Sequence, residues 1–114
     1  MGFNVSVRQV GPVTLVTITG SVMWAEAEAL HELFRDLLAK GQKRLLLNLC
    51  DVKHLDSSGI GALAWAYVTV RKAGGELKMV NLSKQVQYLM ELTSLYKIFE
   101  DFSDEESALD SFQT

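Results

Sequence analysis

Cysteine occurs once in this 114-residue chain, at Cys50, and proline once, at Pro12. A lone cysteine can form neither an internal disulfide nor a thiolate metal cluster. Cys50 follows the run Leu45-Leu46-Leu47-Asn48-Leu49, so a buried structural thiol is expected rather than a reactive one. A reducing, cytoplasmic setting fits that usage. No segment approaches the run of about 18 apolar residues that a membrane span requires. Residues 1–6 lack the basic region and apolar stretch of a signal peptide. Gly2 with Ser6 is a weak match to a myristoylation site. Basic residues are not in excess either. The net charge is −3, and Lys43-Arg44 and Arg71-Lys72 are isolated pairs without neighbouring aromatic runs. That argues against a general nucleic-acid binder. No phosphate-cradling glycine loop is visible, so no nucleotide or other cofactor is expected.

What is present fits one globular domain over residues 1–114, since 48% of the residues are hydrophobic and 22% charged. Residues 3–10 alternate Phe3, Val5 and Val7 with polar residues and predict a half-buried strand. Val13 to Thr19 is rich in Val, Ile and Thr and predicts a second strand, ended by Gly20 and joined to the first through Gly11-Pro12 as a hairpin. Leu30, Leu33, Phe34, Leu37 and Leu38 mark one face of a helix over 25–40. Leu45 to Leu49 reads as a central strand covered on both faces, followed by a loop from Asp51 to Asp56. A second helix is expected from about Ser58 to Ala73, burying Ile60, Leu63, Ala64, Tyr67 and Val68. Leu77 to Val80 predicts a strand, and Ser83 a cap for a third helix with Val86, Leu89 and Met90 inward. Ile98-Phe99 is expected as a last short strand. Ser103 and Glu106 form a capping-box pattern opening a final helix through Ala108, Leu109 and Phe112. The order ββαβαβαβα implies an α/β fold, with a mixed, largely parallel sheet of about five strands, about four helices and an N-terminal hairpin.

In open α/β sheets function gathers where a strand's carboxyl end passes into a helix. Here that place is the turn Asp56-Ser57-Ser58-Gly59, at the start of the second helix. Free N–H groups and the helix dipole favour a negative group there. Gly59 and Gly61 each cost about 1 kcal/mol relative to alanine inside a helix, and close approach of another group would offset that. Plain capping by Ser57 or Ser58, with the glycines admitting tight helix–sheet packing, explains the local chemistry equally well.

The segment from Leu49 to Gly61 (LCDVKHLDSSGIG) resembles the signature of STAS domains, in particular the bacterial anti-sigma factor antagonists. Thr17-Ile18-Thr19-Gly20, Ala73-Gly74-Gly75-Glu76-Leu77 and Leu89 to Phe99 also resemble that family, in order along nearly the whole chain. The resemblance implies partner switching and no enzymatic activity. In that family the serine after the aspartate, here Ser57, is phosphorylated by an anti-sigma factor that is also a serine kinase. The unphosphorylated antagonist binds that kinase, phosphorylation abolishes binding, and a phosphatase restores it. Asp56 would then be the fixed charge beside the phosphoacceptor, Ser58 a capping or supporting hydroxyl, and Gly59 the clearance for a partner. Met23, Trp24, Ile60 and Gly61 would meet the partner. One departure stands out: Met23 occupies about the place where many members have an acidic residue. It favours the alternative of a constitutive STAS scaffold that docks on an ATPase or signalling assembly without phosphorylation. A packed Trp24 under the first helix is the simpler structural alternative to an interface anchor. A monomer or weak dimer is expected.

Other constellations carry less. His54, Asp56 and Ser57 are too close in sequence for hydrolase triad geometry. His31 lies near Glu28 and Glu32 with no second histidine for a metal. Asp51 and Asp56 follow a strand as response-regulator aspartates do, but the acidic pair expected after the first strand is missing.

Overall fold

A computed structural model describes residues 2–112; the ends of the expected 1–114 domain lie outside the described residues. The chain forms β1 (Phe3–Val10), β2 (Val13–Val22), α1 (Trp24–Ala39), β3 (Arg44–Leu55), α2 (Ser57–Lys72), β4 (Glu76–Val80), α3 (Lys84–Leu92), a 3-10 turn (Leu95–Lys97), β5 (Glu100–Phe102) and α4 (Glu105–Asp110). The five strands lie side by side in sequence order. The β1–β2 hairpin is antiparallel, and β2–β3, β3–β4 and β4–β5 are parallel. The mixed sheet, four helices and hairpin agree with the sequence expectation. No helix among the described residues is long and apolar enough to cross a membrane.

Strand order without reversal, combined with right-handed crossovers, puts every crossover helix on one face of the sheet. The packing has that form. Val16, Ile18, Leu45, Leu47, Leu49, Leu77 and Met79 meet α1, α2 and α3 through residues such as Leu30, Phe34, Leu63 and Val86. The opposite face, with Val13, Leu15, Leu46 and Val80, is covered by Ala108 and Phe112 from α4 and the segment after it. Two polar side chains are buried on that second face and both are satisfied. Asn48 donates to the Glu105 carboxylate at 3.1 Å. The Lys78 ammonium donates to Ser111 at 2.9 and 3.0 Å and sits 4.7 Å from the Phe112 ring centre.

Several boundaries differ from the sequence expectation. The central strand does not end at Leu49 but continues to Leu55, replacing the expected loop. Two β-bulges in β3 explain this. From Thr17 to Thr19 of β2 the partner advances from Asn48 to Asp51, and from Gly20 to Ser21 it advances from Val52 to His54. Each bulge adds one residue, so buried Leu49, Val52 and Leu55 recur at a spacing of three instead of two. Cys50 falls in the first bulge and is exposed, not buried. β4 pairs β3 only as far as Asn48, so β3 beyond that point has one neighbour strand and an uncovered face. Partial desolvation first, and then the adjacent Asp51 carboxylate, push the Cys50 thiol above its ordinary pKa.

The last strand is Glu100–Phe102 rather than Ile98-Phe99. Phe99 instead drops into the core, its ring 5.3 Å from that of Tyr67, and Ile98 stays exposed. Asp104, not Ser103, caps α4, its carboxylate accepting from the Ser107 N–H at 2.8 Å. The buried face of α2 is Ile60, Ala62, Leu63, Ala66 and Val70, while Val68 is exposed. Small alanines let the helix sit close to the sheet, and that closeness selects the face over side-chain size.

Candidate functional site

The end of β3 delivers Asp56 to the start of α2 in extended conformation, as a helix N-cap requires. One Asp56 carboxylate oxygen accepts from the Gly59 N–H at 2.9 Å. The other accepts from the Trp24 N–H at 3.1 Å, and Trp24 is the first residue of α1. A single carboxylate therefore holds the positive ends of two helices, a charge-assisted arrangement favoured by both dipoles. Asp56, rather than Ser57 or Ser58, is the cap.

This tie gives Met23 a structural account. Met23 is the N-cap of α1 and its side chain has no oxygen to offer the first turn; the Glu26 carboxylate accepts from its N–H at 2.9 Å. The acid that serves the start of α1 comes from across the gap, from Asp56.

Ser57 is the first residue of α2 and is exposed. A helix start leaves its first N–H groups without intrahelical partners. That of Gly59 goes to the Asp56 side chain and that of Ile60 to the Asp56 carbonyl. Among the described residues those of Ser57 and Ser58 meet no acceptor. A hydroxyl thus stands in solvent beside a fixed carboxylate and two free donors. Both Asp56 oxygens accept from backbone donors, and among the described residues no hydrogen bond joins His54, Asp56 and Ser57, so they form no proton relay.

Gly59 and Gly61 prove unlike. A Cβ on Gly59 would strike the Val22 carbonyl oxygen and approach Leu55 Cδ1 to 2.5 Å. The clearance at Gly59 is used by the end of β2, inside the protein. A Cβ on Gly61 would meet nothing within 4 Å. Ile60 lies in the core at 9% exposure, whereas Met23 and Trp24 stand out at 39% and 78%.

Sequence reasoning missed Trp65 and, having set a metal site aside, gave His31 no role. Among the described residues no group of His, Cys, Asp and Glu side chains is placed to hold a metal. The His31 ring instead lies 4.6 Å from the Trp65 ring, and the Arg35 guanidinium lies 5.4 Å from the latter's centre. With Trp24, the His31 and Trp65 rings border a groove of about 680 Å³ between α1 and α2, which Ser58 and Gly61 also line. A usable signal was available: Ser58, Gly61, Ala62 and Trp65 follow i, i+3, i+4, i+7, one stripe along α2.

A family model described as "STAS domain" matches residues 4–108. The anti-sigma-B factor antagonist of Bacillus subtilis is 34% identical, over 88% of this chain and 91% of its own length. The anti-sigma F factor antagonist of Paenibacillus polymyxa is 22% identical over 96% of this chain and 94% of its own. The crystal structure of an anti-sigma factor antagonist from Mycobacterium paratuberculosis superposes with a TM-score of 0.86 at 24% identity, covering 96% of this chain and 93% of that one.

Proposed function

The chain belongs to the STAS domain family, and on that premise we propose that it is an anti-sigma factor antagonist that works by partner switching. Unphosphorylated, it binds an anti-sigma factor serine kinase; phosphorylated on Ser57, it is released; a phosphatase resets it. The observation that carries this reading is the exposed Ser57 hydroxyl at the start of α2, beside the fixed Asp56 carboxylate.

The chemistry requires little from the chain itself. The Ser57 Oγ attacks the γ-phosphorus of ATP held by the kinase. The new O–P bond forms as the bond to ADP breaks, and the hydroxyl proton leaves to a base of the kinase. The product phosphate carries about −1.5 to −2 charges and would find the free N–H groups of Ser57 and Ser58 within its own turn. The fold therefore tolerates it. Two like charges about 6 Å apart at an effective dielectric of about 20 repel by roughly 3 kcal/mol, enough for more than a hundredfold in affinity. An acidic group on the partner then suffices to expel the phosphorylated form, with no large conformational change. Met23, Trp24 and Gly61 supply exposed surface around that turn; Ile60 supports it from beneath.

The test is incubation with ATP and each anti-sigma-type serine kinase encoded in the source genome, followed by intact mass and binding measurements. The expected result is a gain of one phosphoryl group, absent in Ser57→Ala, and loss of binding in Ser57→Asp. Met23, at a position where the family resemblance implies an acidic residue, favours a second reading, the constitutive scaffold. An unmodified Ser57 together with full binding by Ser57→Asp would establish that reading instead.

A further inference from the structure

The groove between α1 and α2 contains two features that the fold does not use. Trp24 is 78% exposed although it begins a helix whose next turns are packed. Gly61 weakens the helix relative to alanine, yet no neighbour needs the space that its missing side chain leaves. Gly59, two residues earlier, has an internal reason in the Val22 carbonyl. For Gly61 the effect of the missing side chain falls on the groove, which it deepens.

The Trp65 wall is set before anything binds. The Trp65 ring is held between the chain and its neighbours His31 and Arg35, at 4.6 and 5.4 Å. The Glu28 carboxylate on the same rim lies 3.6 Å from the His31 ring and 3.9 Å from the Arg35 guanidinium, which takes up its charge. Buried Ala27 and Ala62 add apolar surface. At about 680 Å³ the groove falls in the range of roughly 300–1,000 Å³ that holds a drug-sized apolar group. The groove is continuous with the phosphoacceptor turn, because Ser58 belongs to both.

We infer that this groove receives an apolar anchor, one or two large aliphatic or aromatic side chains, from the same kinase that acts on Ser57. The inference rests on the function proposed above and adds where the affinity comes from. Rigid aromatic walls with a desolvated centre are the usual make-up of an interface hot spot. The division of labour follows: the Trp24–Trp65 groove holds the partner, and Ser57 beside it decides whether holding is allowed.

Trp24 and Trp65 are the two tryptophans of the chain, so its tryptophan emission, excited selectively on the red edge of indole absorption, reports on this groove. The experiment titrates wild type, Trp24→Ala, Gly61→Leu and Ser57→Asp with each purified anti-sigma-type kinase of the source genome, in ADP. Sedimentation of each variant alone and its thermal melt accompany the titration. Wild-type emission should shift to the blue on binding. Trp24→Ala and Gly61→Leu should each weaken binding by at least about tenfold with melting unchanged. Should Gly61→Leu fail to fold, Trp24→Ala, on an exposed side chain, decides alone. Binding within about twofold of wild type in the foldable variants, while Ser57→Asp is lost, overturns the anchor and leaves the switch. Dissociation of a wild-type dimer by Trp24→Ala would assign the groove to a second copy and also overturn it. If no kinase binds the wild type, the proposed function falls and the anchor with it.

Discussion

Helices α2 and α4 begin with the same local device: an aspartate accepts the N–H three residues on, Asp56 from Gly59 at 2.9 Å and Asp104 from Ser107 at 2.8 Å. At α4 the second carboxylate oxygen stays local, on the Ser107 hydroxyl at 3.2 Å. At α2 it crosses to Trp24 and joins two helices. The third residue differs too. Ser107 is exposed, whereas Gly59 is buried against Val22. Both helices have a side-chain cap, but only that of α2 is tied to a neighbouring helix with an open groove beside it. A cap by itself is local stability; a cap shared between two helices joins them into one platform beside Ser57, the proposed phosphoacceptor.

The largest effect that separates the two starts concerns binding. A negative charge at the first start should act on the kinase and one at the second should not. Ser57→Asp is expected to raise the Kd for the kinase by about a hundredfold, from charge repulsion of roughly 3 kcal/mol. Ser107→Asp, on the far face of the sheet, should change it by less than about threefold, as exposed distant charges do. Isothermal titration against the same kinase compares them directly. Equal losses would mean that net charge, not the α2 platform, governs binding.

The next effect concerns folding. Gly59→Ala drives a methyl group into the Val22 carbonyl and Leu55, and overpacking of this kind costs about 1–3 kcal/mol. Ser107→Ala forfeits one exposed hydroxyl contact to Asp104, about 1 kcal/mol at most. Urea midpoints with unchanged m-values measure both. A Gly59→Ala protein as stable as wild type would show that β2 can move aside and that Gly59 is not a packing residue.

Much of this contrast could be read from the chain, and the part that could not has identifiable causes. The central strand, the hairpin and the serine-bearing turn follow from apolar runs and turn chemistry that act locally. The length of β3 does not, because two bulges convert its burial from period two to period three; Leu49, Val52 and Leu55 then look like a loop with scattered leucines. The burial of Cys50 was misjudged because it depends on the first bulge and on β4 ending opposite Asn48. Within α2 apolar residues lie on every side, and periodicity pointed to the Tyr67–Val68 face where the structure buries the Ala62–Ala66 face. Asp56, Ser57 and Trp24 could each be named in advance. Their connection through one carboxylate could not, because 32 residues separate Trp24 from Asp56.

The smallest effect is the most specific to that carboxylate. Asparagine caps helices about as well as aspartate, so Asp56→Asn and Asp104→Asn each keep the local bond through the amide oxygen. The second position then differs in kind. At α4 the partner is the Ser107 hydroxyl, which can rotate to accept from the new NH₂ group. At α2 it is the Trp24 backbone N–H, which can only donate, so two donors face each other. Asp104→Asn should therefore cost no more than about 0.5 kcal/mol, within the spread of good caps. Asp56→Asn should cost about 1–3 kcal/mol more, the penalty of a donor left unsatisfied, toward the low end because water reaches this site. It should also shift tryptophan emission as the start of α1 loosens around Trp24. Equal losses for the two variants, with emission unmoved, would reduce the shared carboxylate to two separate dipole interactions and remove the platform from the account of binding.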